Sequence, residues 1–157
     1  MADVYTIALR LLAARDLSEA QLRVRLVRRE CVAQEVESTI EKLKRDGALD
    51  DARVARAVAR FEAAVRQRGR GRALQRIRSL GIDASLAAEA VDEVFGELNE
   101  TALLDRALER RLKGTAPASL DRAAIARIVR GLLGQGFQAA AIFRRLRAHG
   151  GPTVDEA

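Results

Sequence analysis

The chain contains few of the residues that build disulfides, metal sites or aromatic cores. Its 157 residues include one cysteine, one histidine, two prolines and no tryptophan. The single cysteine, Cys31, excludes an internal disulfide. One cysteine and one histidine, His149, are also too few ligands for a Cys/His zinc site. We therefore expect no metal and no cofactor, and a protein compatible with a reducing compartment.

Long apolar runs and a targeting signal are also lacking. Met1-Ala2-Asp3 shows no basic segment followed by an apolar one, and no apolar stretch approaches the ~20 residues that span a bilayer. The sequence therefore predicts no signal peptide, no membrane anchor and a cytoplasmic location.

The composition that is present favours helices. Hydrophobic residues make up 48% of the chain but aromatic residues only 3%, so the core must be built from Leu, Ile, Val and Ala. Ala, Leu, Arg and Glu, which are strong helix formers, dominate, whereas alternating strand patterns are absent. We predict an all-α protein.

Three helix starts share one device, a hydrophobic pair five residues apart that flanks a capping residue. The three are Leu17 and Leu22 around Ser18, Leu49 and Val54 around Asp50, and Leu120 and Ile125 around Asp121. They predict helices from about 19 to 29, from about 51 to 68 and from Asp121 onward, beside others at 5 to 14 and 33 to 46. Asp50 with Asp51 could also be a carboxylate pair, but a capped first turn accounts for both residues.

A spacing of apolar residues recurs three times, in steps of five, five and four residues. The three registers are Leu26, Cys31, Val36, Ile40; then Ile77, Ile82, Ala87, Val91; then Leu132, Phe137, Ile142, Leu146. This repetition predicts an elongated, curved tandem of three three-helix modules at 1–49, 50–99 and 100–150, with a short polar tail at 151–157. The residues expected in the core are Leu26, Ile40, Ile77, Val91, Leu132, Phe137 and Leu146.

Charge is segregated along the chain, which carries a net charge of +6. Residues 51–82 hold nine arginines against two acids, and residues 83–100 hold six acids and no base. A basic balance suits an anionic partner such as nucleic acid or an acidic protein surface. The alternative is that neighbouring helices pair their charges with each other.

The segment from Gly69 to Ile82 combines the apolar spacing with a cluster of arginines. A helix from about Gly71 places Leu74 and Ile77 on a buried side and leaves Arg72 and Arg76 on another. Gly69 and Gly71 resemble part of a phosphate loop, but no Gly-Lys-Ser/Thr follows and no strand precedes. The sequence therefore predicts no nucleotide-hydrolysing pocket, while contact with an anion stays open.

We predict a partner-facing surface made of arginines from this segment and from the last helix. Its members are Arg66, Arg68, Arg70, Arg72, Arg76, Arg144, Arg145 and Arg147. No residues form a catalytic set, since Cys31 falls on a core position and His149 at a helix end. These patterns predict a binding protein and not an enzyme.

One further set of positions is informative as a whole: residues 11–26 and 44–55, Gly69, Arg72, Ile77, the Gly81-Ile82 pair and Gly136-Phe137. At these positions the sequence resembles the RecX family of bacterial recombination regulators. Departures are Val54 in place of an aromatic residue, Ala73 in place of a larger aliphatic one, and Arg68-Gly69-Arg70 in place of a tyrosine-glycine-proline run. The resemblance implies a tandem of three-helix modules that lies in the groove of a RecA recombinase filament on DNA and dampens ATP hydrolysis and strand exchange in DNA repair, recombination and the SOS response.

Two other functions fit the same residues. Basic three-helix units resemble groove-reading modules, so the chain could bind single- or double-stranded DNA directly. It could also be an adapter that contacts no nucleic acid. In each case we expect a monomer.

Overall fold

The computed structural model describes residues 3–151, and every element of regular secondary structure in this part of the chain is a helix. The all-α prediction is confirmed. The elements are α1 (Val4–Ala14), α2 (Glu19–Val27), α3 (Ala33–Arg45), α4 (Asp51–Ala64), α5 (Arg70–Arg78), α6 (Ala84–Gly96), α7 (Glu100–Leu112), a 3₁₀ turn (Pro117–Ser119), α8 (Arg122–Gly134) and α9 (Ala139–Ala148).

The helices pack in three groups of three, which we call the first (α1–α3), second (α4–α6) and third (α7–α9) modules. The first module has its own apolar core, whereas the second and third share a continuous one. All seven residues predicted to be buried lie in these cores: Leu26, Ile40, Ile77, Val91, Leu132, Phe137 and Leu146. The repeated apolar spacing therefore identified the packing side of each module.

The capping residues act as the sequence predicts. Ser18 accepts from the Gln21 backbone N–H, and the Gln21 side chain accepts from the Ser18 N–H, which completes a capping box. Asp50 accepts from the Arg53 N–H at 3.0 Å. Asp121 accepts from the Ala124 N–H at 2.7 Å. Each bond satisfies an N–H group that has no partner within its own helix.

Some details differ from the prediction. Helix α4 ends at Ala64 and not near residue 68, because Gln67 adopts a left-handed conformation with φ of 52° that no α-helix accommodates. Cys31 is only half-buried, since it follows the end of α2, and Leu74 is half-buried while Ala73 and Ile77 fill the core side of α5. Most of the predicted tail, residues 152–157, lies outside the described residues.

The first module is joined to the second through the start of α2. The Ser18 hydroxyl donates to the Leu80 carbonyl at 2.6 Å, and the Glu19 N–H donates to the Asp51 carboxylate at 2.8 Å. Gly81 lies so near Ala20 that a Cβ placed there would be 2.5 Å from the Ala20 Cβ. The helix cap therefore also serves as the contact between modules.

The second and third modules meet backbone to backbone. The Gly69 N–H donates to the Gln135 carbonyl at 2.9 Å, and the Gly71 N–H donates to the Gly136 carbonyl at 3.0 Å. A Cβ on Gly69 would lie 2.5 Å from the Gly136 oxygen. These glycine N–H groups are thus already bonded, so the anion contact that the sequence left open at Gly69 and Gly71 does not form through them.

Between residues 3 and 151, no helix has both the length and the apolar character needed to cross a membrane.

Candidate functional site

A basic groove runs between the first two modules, and it holds four of the eight arginines selected from the sequence. We define the basic groove by Arg66, Arg68, Arg72 and Arg76, with Arg15 from the end of α1 opposite them. Its volume is about 630 Å³, and Val54, Val58, Phe61 and Leu80 contribute apolar surface to its walls. The groove is therefore a concave surface with an apolar wall and an excess of positive charge.

Arg66 and Arg68 reach the groove because α4 ends early. The left-handed Gln67 separates them, and the Arg68 N–H turns back to donate to the Glu62 carbonyl at 2.9 Å. The Arg66 guanidinium lies 5.7 Å from the centre of the Phe61 ring, within the range of a cation–π contact. A continuous helix to residue 68 would have directed these two side chains differently.

Arg72 and Arg76 lie one turn apart on α5, on the side away from the buried Ala73 and Ile77. The Arg72 guanidinium donates to the neutral Gln75 side chain at 2.7 Å, and Arg76 lies 3.5 Å from the Ser79 hydroxyl. Because these partners carry no charge, both guanidinium groups keep their full positive charge toward the groove.

One acid lies at the base of the groove. Glu62 is only 4% exposed, and its carboxylate accepts from Arg68 at 3.3 Å. A buried carboxylate without a charged partner destabilises the folded state. Arg68 therefore compensates the charge of Glu62 in addition to lining the groove. Asp16 also lines the groove, which leaves five arginines facing two carboxylates. Glu62 pairs with Arg68, and Asp16 pairs with Arg53 outside the groove, so the groove keeps a positive excess.

Arg70 points to other partners. Its guanidinium donates to Glu100 at 2.8 and 3.1 Å and also pairs with Asp92 of α6. Hydrogen bonding to the Glu100 carboxylate raises the pKa of Arg70. For this residue the geometry is that of neighbouring helices pairing their charges, the alternative that the sequence left open. It does not line the basic groove.

The three arginines of α9 do not line the basic groove either. Arg145 makes a two-point contact with Asp105 of α7, at 2.6 and 2.8 Å, and His149 lies 3.7 Å from the same carboxylate. This cluster ties α9 to α7 within the third module. Arg144 and Arg147 are exposed. The eight predicted site residues therefore fall into a groove set and a separate set on and beside the third module.

Sequence reasoning missed three contributors to the groove. Arg15 follows α1 and gave no local signal, because its approach to α5 depends on how the first two modules dock. Phe61 is 47% exposed at the groove although aromatic residues usually lie in cores. Glu62 appeared only as an acid within a basic stretch. Of these three contributions only the burial of Glu62 could have been anticipated, because Glu62 lies on the same side of α4 as the buried Ala55 and Ala59.

The sequence of the chain matches proteins of one family. Residues 5–43 match the family model described as RecX, first three-helix domain. The regulatory protein RecX of Trichlorobacter lovleyi is 33% identical over 139 residues, which cover 87% of this chain and 88% of that protein. The regulatory protein RecX of Treponema pallidum is 37% identical over 118 residues, which cover 74% of this chain and 72% of that protein.

Solved structures show the same fold. The crystal structure of RecX from Lactobacillus salivarius superposes with a TM-score of 0.83 over 94% of both chains, at 17% identity. Another crystal structure, of a regulatory protein RecX, gives a TM-score of 0.80 over 92% of this chain and 70% of the other, at 19% identity. At these identities the likeness concerns the fold.

Proposed function

Because the chain belongs to the RecX family of regulatory proteins, we propose that it regulates the RecA recombinase by binding the filament that RecA forms on DNA. Binding slows ATP hydrolysis and strand exchange, and the protein itself catalyses no reaction. The observation that carries this proposal is the basic groove, in which arginines from three separate segments converge on one concave surface.

The chemistry of the groove supports an anionic partner. Guanidinium groups bind carboxylates and phosphates through two parallel hydrogen bonds, and Arg66, Arg72 and Arg76 have no acidic partner among the described residues. A nucleoprotein filament presents both kinds of anion, on its protein surface and on its DNA. The positive excess also accelerates encounter with such a polyanion.

A binding experiment tests this assignment. The variant replaces Arg66, Arg72 and Arg76 by Glu and retains Arg68, because removing Arg68 would leave the buried Glu62 carboxylate without its partner. A control replaces Arg10, Arg127 and Arg130, three exposed arginines outside the basic groove, by Glu. Both variants change the net charge equally.

The groove variant should bind recombinase filaments on single-stranded DNA more than about tenfold more weakly, equivalent to ~1.4 kcal/mol. Its affinity should also depend less steeply on salt, since fewer ions are released on binding. The control should lose much less affinity. Equal affinity of the groove variant and the wild type, with helicity intact, would remove the groove from the proposed mechanism.

A second candidate is direct binding of single-stranded DNA. The observation that favours it is the exposed Phe61 ring beside Arg66, because bases stack on aromatic rings and arginine neutralises the adjacent phosphates. Replacing Phe61 by Ala should weaken binding to bare single-stranded DNA if bases stack there. Strong binding to bare DNA and no gain on filaments would favour this candidate over the first.

A further inference from the structure

A second concave site lies between the second and third modules, on the other side of Arg72. We call it the inter-module cleft and define it by Leu74, Val91, Leu133 and Phe137 on its walls and Arg72 at its rim. Its volume is about 500 Å³. The hydrogen bonds of Gly69 with Gln135 and of Gly71 with Gly136 hold the two modules together beside it.

The walls of the inter-module cleft are apolar and partly exposed to solvent. Val91 and Phe137 are buried, whereas Leu74 is half-buried and Leu133 is 43% exposed. A site of this size lies within the range that receives a small ligand or the side chains of a partner, ~300–1,000 Å³. Covering Leu133 and Leu74 would remove apolar surface from water, which favours an occupant that brings apolar groups of its own.

The charge at the rim restricts the chemical character of that occupant. Arg70 and Asp92 also line the cleft, and Arg70 pairs with both Asp92 and Glu100. The Arg72 guanidinium bonds only to the neutral Gln75 side chain among the described residues. The rim therefore keeps one positive charge without an acidic partner beside an apolar wall. The complementary surface is an apolar side chain with a carboxylate next to it, an arrangement that proteins present and a phosphodiester backbone does not.

We propose that the inter-module cleft receives an apolar side chain of a protein partner while a neighbouring carboxylate of that partner pairs with Arg72. Arg72 lines both the cleft and the basic groove. An extended partner can therefore occupy both sites at once. The proposal rests on the proposed function in taking the recombinase filament as that partner.

Two variants test the cleft. Leu133→Ser removes an exposed apolar wall residue, and Leu98→Ser is its matched control, because Leu98 is 42% exposed and does not line the cleft. Ala88→Glu is the second variant. Ala88 is exposed on α6 and lines the cleft, so a glutamate there is compatible with folding and competes for Arg72.

Binding is measured by fluorescence anisotropy of protein labelled at its N-terminus. The probes are recombinase filaments assembled on single-stranded DNA with a slowly hydrolysed ATP analogue, and the same DNA without recombinase. L133S and A88E should each bind the filaments at least about tenfold more weakly than wild type. L98S should bind like wild type, and affinity for bare DNA should be the same in wild type, L98S and L133S, whose net charges are equal.

The other outcomes overturn the inference in distinguishable ways. Wild-type affinity of L133S and A88E for filaments, with binding still lost in the groove variant, would refute the cleft and leave the proposed function standing. A parallel loss of affinity of L133S for bare DNA would identify nucleic acid and not protein as the occupant. Failure of the wild-type protein to bind filaments at all would refute the proposed function and the cleft with it.

Discussion

Replacing Gly69 by alanine should loosen the junction between the second and third modules. Gly69 has φ of −75° and ψ of 170°, which alanine adopts freely, so any effect must come from space and not from backbone strain. An added Cβ would lie 2.5 Å from the Gly136 oxygen, 2.6 Å from its carbonyl carbon and 2.8 Å from the Phe137 nitrogen. All three atoms belong to the backbone, so the modules must move apart.

The magnitude follows from what that movement disturbs. Inserting a methyl group into a close-packed site costs ~1–3 kcal/mol. The two hydrogen bonds from Gly69 and Gly71 contribute ~0.5–1.5 kcal/mol each and would lengthen. Alanine also lowers the conformational entropy of the unfolded chain, which offsets ~0.4–1 kcal/mol of this loss of stability. We therefore expect Gly69→Ala to lower the free energy of unfolding by about 1–3 kcal/mol, mainly through the steric conflict.

Urea unfolding followed by far-ultraviolet circular dichroism measures this loss. Gly96→Ala is the matched control, because Gly96 ends α6 and a Cβ there would meet no atom within 4 Å. The control should be neutral or more stable by up to ~1 kcal/mol. If G69A proved as stable as G96A, the two modules would not be in close backbone contact, and the account of their junction would be wrong.

Three further predictions concern single side chains. Ser18→Ala should cost more stability than Asp121→Ala, because both remove a helix cap worth ~1 kcal/mol and Ser18 also donates to Leu80 across the first junction; equal urea midpoints would contradict this. Leu132→Ala should cost ~2–5 kcal/mol, since Leu132 is fully buried, and a near-zero cost in urea unfolding would contradict its core position. Burial raises the pKa of the Asp51 carboxyl, so the folded state binds this proton more tightly than the unfolded chain. The stability of Asp51→Asn relative to wild type should therefore rise as the pH rises through the pKa of Asp51 in the folded state. Urea midpoints measured across this pH range would refute the raised pKa if the midpoint of Asp51→Asn fell relative to that of the wild type.

The helices and cores could be predicted from the sequence because their signals are local. Ser18 and Asp121 are capping residues at fixed positions relative to the helices they start, and Leu132 lies on an apolar face repeated every three to four residues. The end of α4 could not be predicted in this way. Gln67 takes a left-handed conformation that its residue type does not require.

The candidate site was only partly predictable, because it depends on how modules dock. Sequence spacing placed Arg72 and Arg76 on the open side of α5, as the structure does. It could not distinguish them from Arg70, whose partners Asp92 and Glu100 lie 22 and 30 residues away. It also gave no reason to include Arg15, which reaches the basic groove only through the contact of the first module with the second.

Recombinase ATP hydrolysis on single-stranded DNA tests the central claim most directly. Measured at fixed recombinase and DNA while this protein is added, hydrolysis should fall as the protein occupies the filament. The variant with Glu at positions 66, 72 and 76 should inhibit at more than about tenfold higher concentration than the wild type or the charge-matched control. An unchanged rate of hydrolysis at saturating wild-type protein would contradict the proposal, as would equal inhibition by the wild type and the groove variant.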